Sequence, residues 1–428
     1  MKLACLLVLG ALAAMPQQLV LRAARLFDGR SETLQTPGII VIEDGRITGV
    51  GPSATVKPGG KMIDLGDATL LPGFMDAHVH LTHERGMDNR QDILDRQART
   101  AAEAALRATK YLRVTLEAGF TTVRNLGAPD FVDVALRNAV AAGAIAGPRI
   151  LAASKGLGSL GGHCDPMNGV APEFFGREPD WRDGVINSPE SARQAVRYNI
   201  KYGADLIKMC ATGGVLSRNN DVDSPQMTQV EIDAIIDEAH AKGKKVAAHA
   251  HGATGAKRAI RGGIDSIEHG SFLDDEALTL MKQKGTVFVP TLHAPWSLLE
   301  ADKKGSVMDP RTKAKLNMAA RRIDETFRSA AARGIRIGFG TDAGVGSHGT
   351  NAEEFVLMVK GGLKPIDALR AATSVDAELF GIASEVGTLE TGKIADIVAV
   401  PGNPVEDIAQ TRNVFFVMKD GKVVKNTR

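Results

Sequence analysis

The chain has 428 residues, of which 44% are hydrophobic and 24% charged, so it can bury one large core and a smaller one. A formal net charge of +2, the lack of any Lys/Arg block and an aromatic content of only 4% give no indication of a nucleic-acid groove or of base-stacking platforms. The expected partner is therefore a small molecule.

Residues 1–15 are predicted to be a secretory signal peptide. Lys2 is followed by an apolar stretch, Leu3 to Leu12, and by small residues, and the segment is too short to span a bilayer. We expect export to the periplasm or the medium, a cytoplasmic location if the leader does not function, and no membrane contact after its removal. Cys164 and Cys210 are too few for a disulfide framework and are expected to be buried small side chains.

Both ends of the chain, residues 16–72 and 387–428, are predicted to form one small β-sandwich domain. Short alternating runs separated by glycine and proline fill the first segment, as in antiparallel hairpins. The second segment repeats this pattern, with Asp420-Gly421 as a turn. The middle of the chain is then inserted between the two halves of the small domain.

The middle segment, residues 73–386, repeats a short apolar strand followed by a helical stretch. Eight candidate strands are present: FMDAHVHL, FTTVRNL, RILAAS, LIKMCA, KVAAHAHG, SIEHG, TVFVPTL and RIGFGTDAG. The stretches between several of them have spaced apolar positions and end in glycine, as amphipathic helices do. Eight such units predict an α/β fold, a (β/α)₈ TIM-like barrel whose chemistry lies at the C-terminal strand ends.

Six side chains that can bind metal stand at the ends of these strands: His78, His80, Lys208, His249, His269 and Asp342. Because side chains alternate along a strand, His78 and His80 share one face, and a closed barrel brings the strand ends together. This pattern predicts the metal site of a hydrolase. Ordinary alternatives are a core role for a single histidine such as His269 and a helix-capping role for Asp342. His249 and His251 also share a face, so we assign the metal to His249 and the substrate to His251.

Lys208 is the most diagnostic of the six residues. Its ammonium would lie against the apolar neighbours of the run DLIKMC, at a cost of several kcal/mol unless it is paired. Addition of CO₂ to the neutral amine gives an anionic carbamate with two oxygens that can bridge two cations. The ordinary alternative is an ion pair of Lys208 with Asp205 or Asp342.

These segments resemble the amidohydrolase superfamily over nearly the whole chain. The resemblance is carried by LPGFMDAHVHL, the strand-end Lys208, His249 and His269, the GTDAG around Asp342 and the returning KIADIVAV. Within the superfamily, GGHCDPMNG at 161–169, KMCATGGV at 208–215 and AAHAHGATGAKRAI at 247–260 resemble the prolidase-like, imidazolonepropionase-related branch. That branch includes binuclear zinc dipeptidases, carboxypeptidase-like enzymes and amidohydrolases that degrade ochratoxin.

The resemblance implies a binuclear zinc centre. His78, His80 and Asp342 would hold one Zn²⁺, His249 and His269 the other, and carboxylated Lys208 and a hydroxide would bridge the two ions. Asp342 would take the proton of the attacking water and pass it to the departing amine, while His163 would donate a hydrogen bond to the carbonyl oxygen. A loop histidine without a catalytic role is the alternative for His163.

The resemblance also suggests where the substrate binds. His251 and Lys257 stand at the positions that bind the substrate α-carboxylate in the branch, although Lys257 is equally compatible with a solvated helix charge. His293 and Trp296, after the seventh strand, are expected to line a leaving-group pocket whose apolar neighbours favour a hydrophobic residue.

The expected function is therefore that of a zinc-dependent amidohydrolase that cleaves the amide bond before a C-terminal hydrophobic amino acid. Dipeptides, N-acyl amino acids and ochratoxin A, a phenylalanine amide, fit this description. The alternatives are an Xaa-Arg/Lys dipeptidase, a cyclic-amide hydrolase, a lactonase or a metal-free scaffold. Relatives often form homo-oligomers, but one sequence assigns no interface.

Overall fold

The computed structural model describes residues 18–174, 176–217 and 219–428. The predicted leader at residues 1–15 lies outside this part of the chain. Across the described segments, none of the helices combines the length and the apolar character that crossing a bilayer requires. The described chain is an α/β structure. The segments at its two ends form one set of sheets, and the middle of the chain forms parallel sheets flanked by helices.

The terminal segments form two sheets. Their strands are β1 Leu19–Ala23, β2 Arg25–Leu26, β3 Gly38–Glu43, β4 Arg46–Val50, β5 Lys61–Asp64, β6 Ala68–Pro72, and later β16 Ile397–Pro401, β17 Phe416–Lys419 and β18 Lys422–Asn426. One sheet has the order β4-β3-β1-β5, and the other has the order β18-β17-β16-β6-β2. In the second sheet the late strand β16 pairs antiparallel with the early strand β6, so that Val398 faces Leu71. The two ends of the chain therefore share one sheet, and a cluster of buried side chains from both sheets, including Leu21, Ile40 and Phe416, packs together.

The middle of the chain alternates strands and helices. Its strands are β7 Phe74–Val79, β8 Phe120–Asn125, β9 Arg149–Ala152, β10 Gly158–Ser159, β11 Val185–Ile186, β12 Ile207–Cys210, β13 Val246–Gly252, β14 Ser266–Phe272 and β15 Val287–Val289. The helices are α1 Asn89–Ala98, α2 Ala101–Glu117, α3 Val132–Ala141, α4 Pro189–Lys201, α5 Gln229–His240, α6 Ala253–Gly262, α7 Asp275–Lys284, α8 His293–Lys303, α9 Pro310–Ala332, α10 Glu353–Lys360, α11 Pro365–Arg370 and α12 Asp376–Phe380. Seven of the eight predicted strands belong to two parallel sheets, β7-β8-β9 and β12-β13-β14-β15.

The eighth predicted strand, residues 336–344, differs from its prediction. It forms isolated bridges, from Ile337 to Phe288 and from Ala343 to Val79, instead of a continuous strand. A left-handed backbone at Asp342, with φ of 57°, is one physical reason, because it interrupts regular pairing. The segment still links the two parallel sheets, since the Gly338 N–H donates to the carbonyl of Phe288 and the Ala77 N–H donates to that of Phe339.

The two parallel sheets are also connected at their other edges. The Asp205 N–H donates to the Ala152 carbonyl at 2.7 Å, and the Leu157 N–H donates to the Lys208 carbonyl at 2.9 Å. Backbone hydrogen bonds therefore join the end of β9 and the loop after it to β12 and the residue Asp205 before it, and residues 337–343 join β15 to β7. The C-terminal ends of β7, β12, β13 and β14 lie close together, and we call this place the common mouth of the parallel sheets.

Local signals in the sequence explain where the flanking helices begin and end. Helix α4 begins after Ser188, which forms a capping box with Ser191, and Thr228 and Glu231 form another at the start of α5. Helices α6 and α7 end at glycines in the left-handed conformation, as their sequences predict. The helices bury their apolar faces against the parallel sheets in one large hydrophobic core.

Cys164 and Cys210 form a disulfide, which corrects the expectation of two small buried side chains. The bond joins the loop that carries His163 to the end of β12, with a Cα–Cα distance of 5.8 Å. Gly156 and Gly158 make the approach feasible, because a Cβ on either would lie within 2.9 Å of the Cys164 side chain. The sequence shows two isolated cysteines, and only the folded path of the loop brings them together.

We expect the double variant Cys164→Ala/Cys210→Ala to lose about 2–4 kcal/mol of unfolding free energy, because the bond closes a long loop in the unfolded chain. Urea unfolding followed by circular dichroism measures this loss as a lower midpoint. The wild-type protein in dithiothreitol is the matched control and should unfold like the variant. Equal midpoints for oxidised and reduced wild type would contradict the bond's stabilising role.

Candidate metal centre

The structure brings the six predicted ligands together at the common mouth of the parallel sheets. Four of them lie on strands: His78 on β7, Lys208 on β12, His249 on β13 and His269 on β14. His80 directly follows β7, and Asp342 lies in the segment before α10. All are buried except His80, whose side chain is about a fifth exposed at 22%. A metal ion could therefore reach them from the mouth while most of the site stays dry.

Distances between polar atoms show how tightly the cluster is built. Asp342 Oδ1 lies 3.2 Å from His80 Nε2 and 3.5 Å from His78 Nε2, and Lys208 Nζ lies 3.4 Å from the same His78 Nε2. The ring of His269 is 4.9 Å from that of His78 and 4.6 Å from that of His249, centroid to centroid. Ligand atoms of His78, His269 and Asp342 all lie within 4.8 Å of one another, which is close enough to share a metal ion.

Two of the six residues adopt strained backbone conformations. His269 has φ of 72° and Asp342 has φ of 57°, in the left-handed region that residues with a Cβ rarely occupy. Each such residue costs about 1–3 kcal/mol, and such strain concentrates at functional sites. Gly340 allows the close approach of the Asp342 segment, since a Cβ there would lie 2.4 Å from Val289 Cγ1.

The buried environment sets the charge of each ligand. Desolvation lowers the pKa of His78, His249 and His269 well below 6.5, so their imidazoles are neutral and keep a lone pair. Desolvation also lowers the pKa of Lys208 to about 8, which makes the neutral amine accessible. Burial raises the pKa of the Asp342 carboxyl group, but the neighbouring His78 and His80 together lower it by more. The pKa therefore lies below its ordinary value, and the carboxylate stays ionised.

These donors fit a zinc-type metal site. Neutral imidazole nitrogens and a carboxylate oxygen are ligands that Zn²⁺ prefers. Asp342 Oδ1 is buried and accepts no hydrogen bond from any residue that the structure describes, although two imidazoles surround it. A cation would satisfy this oxygen and use the free lone pairs of the neighbouring histidines.

A buried ion pair that the sequence analysis did not identify supports His78. The Nδ1–H of His78 donates to Glu268 Oε2 at 3.0 Å, so that its Nε2 faces Lys208 and Asp342. Glu268 Oε1 accepts from Arg124 Nη2 at 2.7 Å, and both side chains are essentially inaccessible to solvent. Charged residues inside the apolar runs TTVRN and SIEH are the signals that could have revealed this pair.

His163 and His251 both join the cluster. The ring of His163 stacks on that of His249 at 4.1 Å, and Gly214 makes room for it, because a Cβ there would lie 2.3 Å from the His163 ring. Desolvation lowers the pKa of His163 to about 4, and its Nδ1 is buried without a hydrogen-bond partner among the described residues. The ring of His251 stacks on that of His269 at 5.0 Å, and its Nδ1 lies 2.9 Å from Ser271 Oγ.

The other predicted substrate residues lie on two helices, Lys257 on α6 and His293 and Trp296 on α8. The ammonium of Lys257 pairs with Asp274 and Glu276 at 2.8 Å each, in agreement with the alternative of a helix charge, and its contact with a substrate carboxylate stays a prediction. His293 is buried, with Nε2 3.0 Å from Thr350 Oγ1, and Trp296 lies 5.7 Å from its ring, centroid to centroid. The pair at the start of α8 therefore packs mainly against the segment after Asp342, and its contact with a leaving group stays a prediction.

Comparisons with known proteins identify relatives of this chain in both sequence and structure. Residues 69–424 match the model of the amidohydrolase family. A crystal structure described as a Xaa-Pro dipeptidase with bound methionine in the active site is 42% identical, with a TM-score of 0.90 and coverage of 96% of this chain and 100% of that one. Ochratoxinase from Aspergillus niger is 31% identical over 426 residues, which cover 95% of this chain and 86% of that protein. Imidazolonepropionase from Symbiobacterium thermophilum is 29% identical, over 84% of this chain and 83% of that protein.

These relatives confirm the resemblance to the prolidase-like, imidazolonepropionase-related branch. The match of the family model covers most of the chain, and the aligned relatives extend to nearly all of it. The chain belongs to the amidohydrolase family and is a hydrolase that acts on amide bonds.

Proposed function

We propose that the protein is a zinc-dependent amidohydrolase that releases a C-terminal, hydrophobic amino acid from dipeptides and N-acyl amino acids. The observation that carries this proposal is the convergence of six donor side chains, five of them buried, including a lysine whose ammonium is poorly solvated. Similarity to an ochratoxinase and to a Xaa-Pro dipeptidase with bound methionine supports both the bond type and the apolar leaving group. Ochratoxin A is a candidate substrate on the same grounds.

In this proposal two Zn²⁺ ions are held as the resemblance implies. His78, His80 and Asp342 would hold one ion, His249 and His269 would hold the other, and Lys208 as its carbamate would supply an anionic ligand. The neutral amine of Lys208 forms its carbamate by adding to CO₂ and losing one proton. Zinc in such a site lowers the pKa of a bound water towards neutrality and polarises a carbonyl group.

The chain's own residues then position the substrate and move protons. The ionised carboxylate of Asp342 accepts a proton from the attacking water and delivers it to the amine that departs. His163 is neutral and carries a buried Nδ1 without a partner among the described residues, so it can donate a hydrogen bond to the carbonyl oxygen as negative charge develops. His251 borders the same space and contacts the substrate.

We also propose that the two parallel sheets and residues 336–343 close into an eight-stranded barrel. Backbone hydrogen bonds at both junctions of the sheets support this closure. The sheet shared by both chain ends and its common apolar cluster support a β-sandwich domain formed by residues 16–72 and 387–428. Export is supported by the disulfide between Cys164 and Cys210, because such bonds persist in oxidising compartments.

A library of N-acyl amino acids and dipeptides, varied at the C-terminal residue, tests the proposed function. We expect zinc-loaded protein to release phenylalanine, leucine and methionine in preference to charged residues, and to lose activity in a chelator until zinc is restored. Mass spectrometry of the released amino acids measures the preference. Release confined to Arg and Lys, or full activity in metal-free protein, would overturn the proposal.

Substitution of Glu268 tests the support of His78. We expect Glu268→Gln to raise the zinc dissociation constant roughly 10–100-fold, since the neutral amide orients His78 less well and leaves Arg124 uncompensated. Competition with a chromophoric chelator measures the affinity. Glu325→Gln on α9, where an exposed carboxylate pairs with Arg322, is the matched control and should bind zinc as the wild type does. Equal affinities in the two variants would argue against the role of Glu268.

A further inference from the structure

The loop that follows β12, residues 213–221, is folded around the ammonium of Lys315. This lysine lies on α9, and only 7% of it is exposed to solvent. Its Nζ donates to the backbone carbonyl oxygens of Gly214, Ser217 and Asn220, at distances of 3.3, 2.7 and 2.6 Å. A lysine ammonium has three N–H bonds, so all three attach this loop to α9.

The burial of Lys315 is uncommon for a helix lysine, whose charge ordinarily stays in water. Burial and the nearby Arg311 lower the pKa of Lys315, so the charged form is held there at a cost. Lys313, on the same helix, is half-exposed and pairs with Asp302 at 2.8 Å instead. Solubility of the helix therefore explains Lys313 but not Lys315, which is partnered by backbone carbonyls of a loop.

The loop 213–221 reaches the candidate metal centre first at His249. The carbonyl oxygen of Gly213 lies 2.8 Å from His249 Nε2. A carbonyl oxygen can only accept, so Nε2 of the neutral ring carries the hydrogen and Nδ1 keeps its lone pair. Gly213 therefore selects which ring nitrogen is free for a metal ion, as the partners of metal-binding histidines commonly do.

The second contact of the loop is with His163. A Cβ on Gly214 would lie 2.3 Å from the His163 ring, so the backbone there packs directly on this ring. Asn220 Nδ2 also donates to the carbonyl of Gly161, in the loop that carries His163, at 3.4 Å. Because the His163 ring stacks on that of His249 at 4.1 Å, one stretch of loop backbone supports both rings.

We propose that Lys315 is a positioning residue for the metal centre. By attaching the loop 213–221 to α9, its ammonium keeps His249 oriented for a metal ion and His163 oriented for the substrate carbonyl. This inference rests on the proposed function, since it gives both histidines the roles assigned there. Other ties, such as that of Ser217 Oγ to Asn220 Oδ1 at 2.6 Å, stay within the loop, whereas Lys315 connects the loop to a helix.

The test compares Lys315→Met with the wild type. Methionine keeps an apolar stem but donates no hydrogen bond, so the loop loses this attachment. We expect the dissociation constant of at least one zinc ion to rise about 10–100-fold, measured by competition with a chromophoric chelator. For the best substrate of the wild type, kcat should fall by a similar factor while KM is largely kept, because His163 acts on charge that develops in the transition state.

Lys313→Met on the same helix is the matched control, since it removes an exposed ammonium paired with Asp302. It should bind zinc and turn over substrate as the wild type does. Asn220→Ala, which removes the tie to Gly161, serves as a second variant if Lys315→Met does not fold. It should change zinc affinity and kcat in the same direction, and wild-type values in Asn220→Ala would then overturn the inference.

Hydrogen exchange of the metal-free protein separates this inference from the proposed function. Peptides that cover residues 213–221 should exchange about tenfold faster in Lys315→Met than in the wild type or in Lys313→Met, with no zinc or substrate present. This result, in protein that binds no zinc, would support the attachment of the loop and overturn the proposed function. Equal exchange in all three proteins, or a zinc-dependent hydrolase whose zinc affinity and kcat survive in Lys315→Met, would overturn the role of Lys315.

Discussion

The burial of nitrogen and oxygen donors at one point is the constraint on which the rest of the structure depends. Desolvation disfavours an imidazolium or an ammonium there, so His78, His249 and His269 are held neutral and the pKa of Lys208 falls. Such a cluster would be costly as an ordinary core, because Asp342 Oδ1 and His163 Nδ1 are buried without a partner among the described residues. The proposed cation would give the Asp342 oxygen a partner and so would stabilise the same arrangement.

The surrounding structure holds this cluster in a fixed geometry. Glu268, which is paired with Arg124, accepts a hydrogen bond from His78 Nδ1 and so orients the His78 ring. Thr291 Oγ1 lies 2.8 Å from His269 Nδ1 and holds that ring in the same way. The disulfide ties the loop of His163, the proposed hydrogen-bond donor, to the strand of Lys208, the proposed metal bridge. Positioning of this kind lets a small number of side chains act together on one bond.

Much of this arrangement could be predicted from the sequence, because strand periodicity and strand ends are local properties. The positions of His78, His249 and His269 follow from short apolar runs, and seven predicted strands lie in the parallel sheets. Contacts between distant segments could not be predicted in the same way. The bond between Cys164 and Cys210 and the pair of Lys257 with Asp274 depend on how distant segments meet in space, which periodicity does not encode.

The zinc content of the Lys208→Ala variant is the most direct test of the proposed binuclear centre. With elemental analysis after zinc loading, we expect about two zinc ions per chain in the wild type and a marked loss in the variant, because no bridging anion remains. Addition of a short carboxylic acid should restore part of the zinc and of the hydrolysis, since its carboxylate can occupy the place of the carbamate. A Lys208→Ala protein that binds two zinc ions and hydrolyses amides like the wild type would contradict the bridging role of Lys208.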